Sequence, residues 1–217
     1  MGRGYSALIA TLWLAVCAPA AATTFTADIS DQDGKPVVNA VVMLIPEQKT
    51  SVPGASTRLP VEKSIDQRNE TFIPYVTIIP KGGRVLFANN DPTTHQVYSF
   101  SAIKQFELTL NRGQTSSPVV FDNPGVAALG CNIHDHMIAY VFVADSPWTA
   151  LTDSAGRAVI EDVPPGAYQA QVWHPKYPPR REPPSARVSI ATEMTRWNAN
   201  IRVLPTPTAS RSHAGSY

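Results

Sequence analysis

Twenty prolines and twelve glycines interrupt this chain of 217 residues, and they leave few stretches long enough for a helix. Proline removes a backbone donor and clashes with the preceding helical turn. The segments between the interruptions are short and rich in Val, Ile, Thr and Phe. No window of helical length keeps a period near 3.6, so the chain is predicted to be all-β. Candidate strands are Phe25 to Ser30, Val37 to Ile45, Tyr75 to Ile79, Arg84 to Ala88, Gln96 to Phe100, Gln105 to Leu110, Ser117 to Phe121, Val126 to Leu129, Ile138 to Ala144, Ala158 to Glu161, Tyr168 to Trp173, Ala186 to Ile190 and Asn198 to Val203. Short strands at regular spacing point to a sandwich or a Greek-key barrel. Residues 175–184, PKYPPRREPP, lack too many amides for a central sheet and are expected to form an edge loop. The tail at 205–217 is small and polar and is expected to be disordered.

Residues 1–22, MGRGYSALIATLWLAVCAPAAA, carry a short start with Arg3, an apolar run to about Val16, and small residues before Thr23. This is the pattern of a secretory signal peptide, too short to span a bilayer, with cleavage expected after Ala22 or Ala20. Cys17 invites a lipoprotein reading, but Val16 is a poor residue immediately before a lipidated cysteine. No later apolar run approaches transmembrane length, so a soluble protein exported to the periplasm is expected. With 18 Lys plus Arg against 17 Asp plus Glu, the charge gives no case for nucleic acid. Removing the signal leaves Cys131 as the one cysteine. A lone thiol in an oxidising compartment is a liability unless something occupies it.

Cys131 lies in CNIHDHM, residues 131–137, which packs one cysteine, two histidines and a methionine into seven positions. His95 lies 36 residues upstream in NNDPTTHQVYS. His95, Cys131, His134 and Met137 together offer two imidazoles, a thiolate and a weak thioether, the set that suits a trigonal copper site. Closed structural zinc sites usually want more thiolates or imidazoles and no methionine. Three ligands from one tight loop and a fourth from a neighbouring strand can surround a metal without the backbone crossing itself. His136 could replace His134 or Met137, but the tighter match is His134, which leaves His136 as an exposed neighbour. No nucleophile with a base beside it is evident, no further histidine cluster suggests oxygen chemistry, and no enzymatic activity is expected.

The segment from Val61 to Asp145 resembles a cupredoxin, and the Cys-x-x-His-x-x-Met loop matches the amicyanin type. The likeness extends to FIPYVTIIPKGGRVLFANND, residues 72–91, which resembles the strand pair preceding the family's first histidine. The resemblance implies a Greek-key barrel holding one type 1 copper ion. His95 would supply an imidazole from a strand end, Cys131 the short thiolate bond, His134 the second imidazole and exposed edge, and Met137 the axial sulfur. Asn89 or Asn90 would tie the His95 loop to the cysteine loop. The sequence departs from the family at Ala127 and Leu129, where aromatic residues are common, and at Gln96, where asparagine is common.

DISDQDGKPVVNAVVMLIP (residues 28–46) and TDSAGRAVIEDVPPGAYQAQVWHP (residues 152–175) resemble the two halves of a carboxypeptidase regulatory-like, transthyretin-like β-sandwich. The expected organisation is therefore an interrupted sandwich: residues 23–60 and 146–204 around a cupredoxin insert at 61–145. The whole chain resembles exported bacterial proteins labelled methylamine utilisation proteins. Electron transfer with a redox protein such as a c-type cytochrome or a dehydrogenase is what the resemblance implies, with Ile133, Ile138 and Pro92 as a docking patch and the chain a monomer. Two other roles remain open: copper capture or delivery, and glycan or protein binding by the sandwich with copper as a redox sensor. Met43 is expected in a core, His174 is expected to be structural, and Trp148, Trp173 and Trp197 are expected to build the sandwich core and its contact with the insert.

Overall fold

The structure, a computed structural model, describes residues 23–48, 59–178, 181–191 and 193–205. The expected signal peptide and most of the expected disordered tail lie outside them. Every regular element among the described residues is a strand, as expected for an all-β chain. None is a helix long and apolar enough to cross a membrane.

The strands are β1 (Thr23–Ser30), β2 (Val41–Pro46), β3 (Glu62–Gln67), β4 (Phe72–Ile73), β5 (Val76–Pro80), β6 (Gly83–Asn89), β7 (His95–Ser101), β8 (Lys104–Leu110), β9 (Val119–Phe121), β10 (Gly125–Gly130), β11 (Ile138–Ala144), β12 (Thr149–Leu151), β13 (Arg157–Val163), β14 (Gly166–Trp173), β15 (Ser185–Ile190) and β16 (Thr195–Asn200). They form four sheets, ordered β13-β1-β16, β12-β2-β14-β15, β4-β3-β6-β9 and β5-β11-β10-β7-β8. The first two strands thus pair only with strands from β12 onward. β1 runs antiparallel to β13 and parallel to β16, and β2 runs antiparallel to β12 and β14. The strands between pair among themselves.

Each pair of sheets encloses its own core. Phe25, Leu44, Trp148, Tyr168, Val172 and Ile201 belong to the core of the outer unit, drawn from β1, β2 and the chain after β11. Ile65, Phe87, Phe121, Leu129, Met137 and Val141 belong to that of the inner unit, β3 to β11. A third apolar layer joins the two. Val41 and Met43 of β2, Val76 and Ile78 of β5, and Phe142 and Ala144 of β11 are buried together, with Trp173 against Tyr140 and Phe142 at ring separations of 5.7 and 5.5 Å. Successive strand residues face opposite ways, so Val42 and Leu44 enter the outer core while Val41 and Met43 enter the joining layer. This explains why β2, β5 and β11 read as apolar runs, interrupted in β5 only by the buried Thr77, whereas β6, β7 and β14 alternate between buried and less buried positions. Each large side chain so buried contributes roughly 1.5–3 kcal/mol.

Three strands escape the sequence pattern. β3, EKSIDQ, is mostly exposed and charged, and β4 and β12 are two and three residues long. The last strand lies at Thr195–Asn200, upstream of the expected Asn198 to Val203. The proline-rich stretch leads into β15, the outermost strand of its sheet.

Candidate metal centre

Two neighbouring strands and one hairpin loop build the site. β10 and β11 pair antiparallel with Gly130 opposite Ile138, so residues 131–137 form the hairpin loop between them. A bond from the Met137 amide to the His134 carbonyl, 3.0 Å, tightens that loop. β7 joins β10 through Tyr98 opposite Gly130, and His95 stands at its start, opposite Leu110 of β8. The approach is close: a Cβ on Gly130 would meet the far end of the Tyr98 side chain at 2.6 Å.

Cys131 Sγ consequently lies 3.7 Å from His95 Nδ1 and 4.0 Å from His134 Nδ1. All three donor atoms fall within 4.8 Å of one another. Metal–sulfur and metal–nitrogen bonds of about 2.3 and 2.05 Å at 120° place such donors about 3.8 Å apart, so the residues present fit a trigonally bound ion. His95, Cys131 and Met137 are buried, while the His134 side chain keeps 18% of its surface exposed. Met137 and Cys131 share the inner core with Leu129 and Val97, so apolar packing surrounds the thiol. His136 and Ile133 are exposed on the same loop, and Ile138 is exposed at the start of β11.

Behind the donors lies a polar network. Asn89, 1% exposed, donates to the carbonyls of Thr93 and Leu110 at 2.8 Å each and accepts from the Asp91 amide at 3.0 Å. It therefore fixes the His95 loop against β8 rather than against the cysteine loop. Asn90 bonds to the Asp66 carboxylate. The residue that the sequence reading overlooked is Asp91, 4% exposed, whose Oδ2 lies 2.8 Å from His95 Nε2. Burial pushes its carboxyl upward, but the amides of Glu70 and Asn69 and the His95 ring more than offset this and hold it below the usual carboxylate value. Its place four residues before His95, in NNDPTTH, was the one available signal.

No protein-family model matches the chain, and no curated protein matches it. Solved structures do. A copper-containing nitrite reductase from Thermus scotoductus SA-01 is 26% identical over 40% of this chain and 22% of its own, with a TM-score of 0.36. A purple cupredoxin from Nitrosopumilus maritimus is 24% identical over 37% of this chain and 98% of its own, TM-score 0.34. A reduced amicyanin variant is 17% identical over 48% of this chain and 98% of its own, TM-score 0.35. The nitrite reductase corrects one expectation: an enzyme stands among the similar structures, so the exclusion of enzymatic activity is withdrawn.

Proposed function

We propose that this chain is an exported type 1 copper protein that carries single electrons, with His95, Cys131, His134 and Met137 as the ligands of one copper ion. The observation that carries the reading is the triangle of His95 Nδ1, Cys131 Sγ and His134 Nδ1, buried at its first two corners, with sides from sulfur of 3.7 and 4.0 Å. Copper bound there supplies a one-electron couple, Cu(II)/Cu(I). The protein's own part is to hold the donors fixed, so that little rearrangement accompanies transfer, and to keep water from the thiolate. His134 brings an imidazole edge to the surface beside Ile133, 54% exposed, and Ile138, 46% exposed, with Pro92 also exposed. That patch suits a transient complex with a c-type cytochrome or a dehydrogenase, for which a small interface suffices.

The same reading divides the chain into a cupredoxin unit at 61–145 carried within a transthyretin-like sandwich of residues 23–60 and 146–204, and places the mature protein in the periplasm. The pairing of β1 and β2 with strands from Thr149 onward supports that division.

The deciding measurement is the visible spectrum of purified protein loaded with Cu(II), beside Cys131→Ser and His95→Ala. The expected result is an intense thiolate-to-copper band, bleached by reductant and absent from both variants. A weak band, or one that survives the loss of Cys131, overturns the proposal. A site that exchanges copper readily and prefers Cu(I) would point instead to copper delivery.

A further inference from the structure

Both imidazoles that face Cys131 through Nδ1 turn their other nitrogen toward a carboxylate. His95 Nε2 lies 2.8 Å from Asp91 Oδ2, and His134 Nε2 lies 3.5 Å from Glu70 Oε1. The two carboxylates belong to one construction. Asn69 and Glu70 are consecutive residues with φ of 50° and 52°, a left-handed conformation that costs an L-residue roughly 1–2 kcal/mol. Their amides donate to the two oxygens of Asp91, Asn69 to Oδ1 and Glu70 to Oδ2. One buried carboxylate therefore touches His95 directly and also pins the turn that sets Glu70 against His134. The second Glu70 oxygen lies 3.6 Å from His136 Nε2.

We propose that Asp91 is a positioning residue for the metal centre: it fixes His95 with its proton on Nε2 and Nδ1 free to bind, and with Glu70 it biases the centre toward the more highly charged metal state. The second half rests on the copper reading above. A carboxylate that accepts the outer N–H of a ligating histidine fixes the ring's orientation and raises its basicity. Negative charge in a low-dielectric interior favours Cu(II) over Cu(I). The arrangement thus opposes the preference for Cu(I) that a delivery protein needs.

The test uses the full chain with Asp91→Asn and Glu70→Gln. Loss of an outer contact of this kind changes metal affinity about 10–100-fold. The expected result for Asp91→Asn is a fall of at least about tenfold in the ratio of Cu(II) to Cu(I) affinity, read as a rise in reduction potential of about 59 mV per tenfold. Glu70→Gln shifts it the same way by less, because Glu70 is half exposed and screened by water. In the copper-free wild type, nitrogen NMR of His95 should find the proton on Nε2. A normal thiolate-to-copper band with an unchanged or lowered potential in Asp91→Asn overturns the charge bias, and a proton on Nδ1 overturns the tautomer assignment. Should Asp91→Asn fail to fold, the wild-type tautomer and the Glu70→Gln potential decide. Absence of any thiolate band in wild type is a failure of the copper reading, and the metal-free NMR then still judges Asp91 separately.

Discussion

In the outer unit the buried polar side chains are mostly hydroxyls that bond to nearby backbone. Thr152 donates to the Val37 carbonyl at 2.7 Å and accepts from the Ala40 amide at 2.9 Å, and Ser146 donates to the Leu44 carbonyl. In the inner unit, one end buries Asn89, Asp91 and His95 in a chain that reaches a thiol. Hydroxyls of the first kind replace missing ladder bonds and carry no charge at any ordinary pH. A buried carboxylate beside an imidazole carries a desolvation cost and stitches few strands together. The contrast separates a unit organised to hold itself together from one organised around a point in space. Perturbing each unit in turn tests whether the two are as separate as their cores suggest.

The largest effect is expected from Trp148→Ala. Trp148 is 2% exposed in the outer core and meets the Tyr168 ring edge-on at 5.7 Å. Truncating a buried tryptophan costs roughly 3–5 kcal/mol. The lower part of that range applies, because Trp148 Nε1 has no partner among the described residues and its removal relieves an unsatisfied donor. Denaturant unfolding should read the loss as a lower midpoint, while the visible spectrum of the copper-loaded native protein stays unchanged. A shifted band under native conditions would mean that the outer core shapes the donor triangle through the layer of Val41, Met43, Ile78 and Phe142.

Much of this architecture is legible in the sequence, and its gaps have physical causes. The alternating strands β6, β7 and β14 and the apolar runs of β2, β5 and β11 announce themselves through periodicity. That the runs are buried on both faces, by two different neighbours, is a fact of packing that a single strand cannot display. β3 stays hidden because only Ile65 and Gln67 of its six residues are buried, and its partner β6 supplies the rest of the order. At the site, His95, Cys131, His134 and Met137 stand out by donor type and spacing. Asp91 does not, since its meaning depends on Asn69 and Glu70, more than twenty residues away in the chain. The two D-x-x-G segments are legible as turns, but their equivalence is a structural finding. Asp31 accepts from the amides of Asp33 and Lys35, and Asp153 from those of Ala155 and Arg157, with Gly34 and Gly156 at φ of 77° and 74°.

Those paired turns sharpen the comparison within the outer unit, with the next largest effect. A Cβ on Gly34 meets nothing within 4 Å, whereas one on Gly156 would lie 2.5 Å from the Ile29 carbonyl oxygen and 3.0 Å from the Val37 amide. Gly34→Ala should therefore cost only the left-handed penalty of about 1–2 kcal/mol. Gly156→Ala adds overpacking against backbone, for a total of about 3 kcal/mol. Paired chemical denaturation measures the difference. Equal costs would show that β1 moves freely away from the Gly156 turn and that the two turns are interchangeable.

The smallest effect expected is a pH dependence confined to the outer unit. His174, 7% exposed at the end of β14, accepts a bond from the Lys176 amide on Nδ1 at 3.2 Å. Burial pushes its pKa below the ordinary 6.5, the nearby Lys176 charge adds to this, and a bond with the Val38 backbone works partly against it. A lowered imidazole pKa means that the folded chain binds fewer protons than the unfolded chain just below pH 6.5. Its contribution to stability is thus fully present above that value, falls as the unfolded state takes up its proton, and levels off once pH drops below the folded value. Melting temperature measured from pH 7.5 to 5 should decline in wild type and decline less in His174→Asn, whose side chain can still accept from Lys176. If the two slopes coincide, the acid sensitivity belongs to other groups, and the outer unit would then bury no ionisable side chain that matters to its stability, which would make its contrast with the inner unit sharper still.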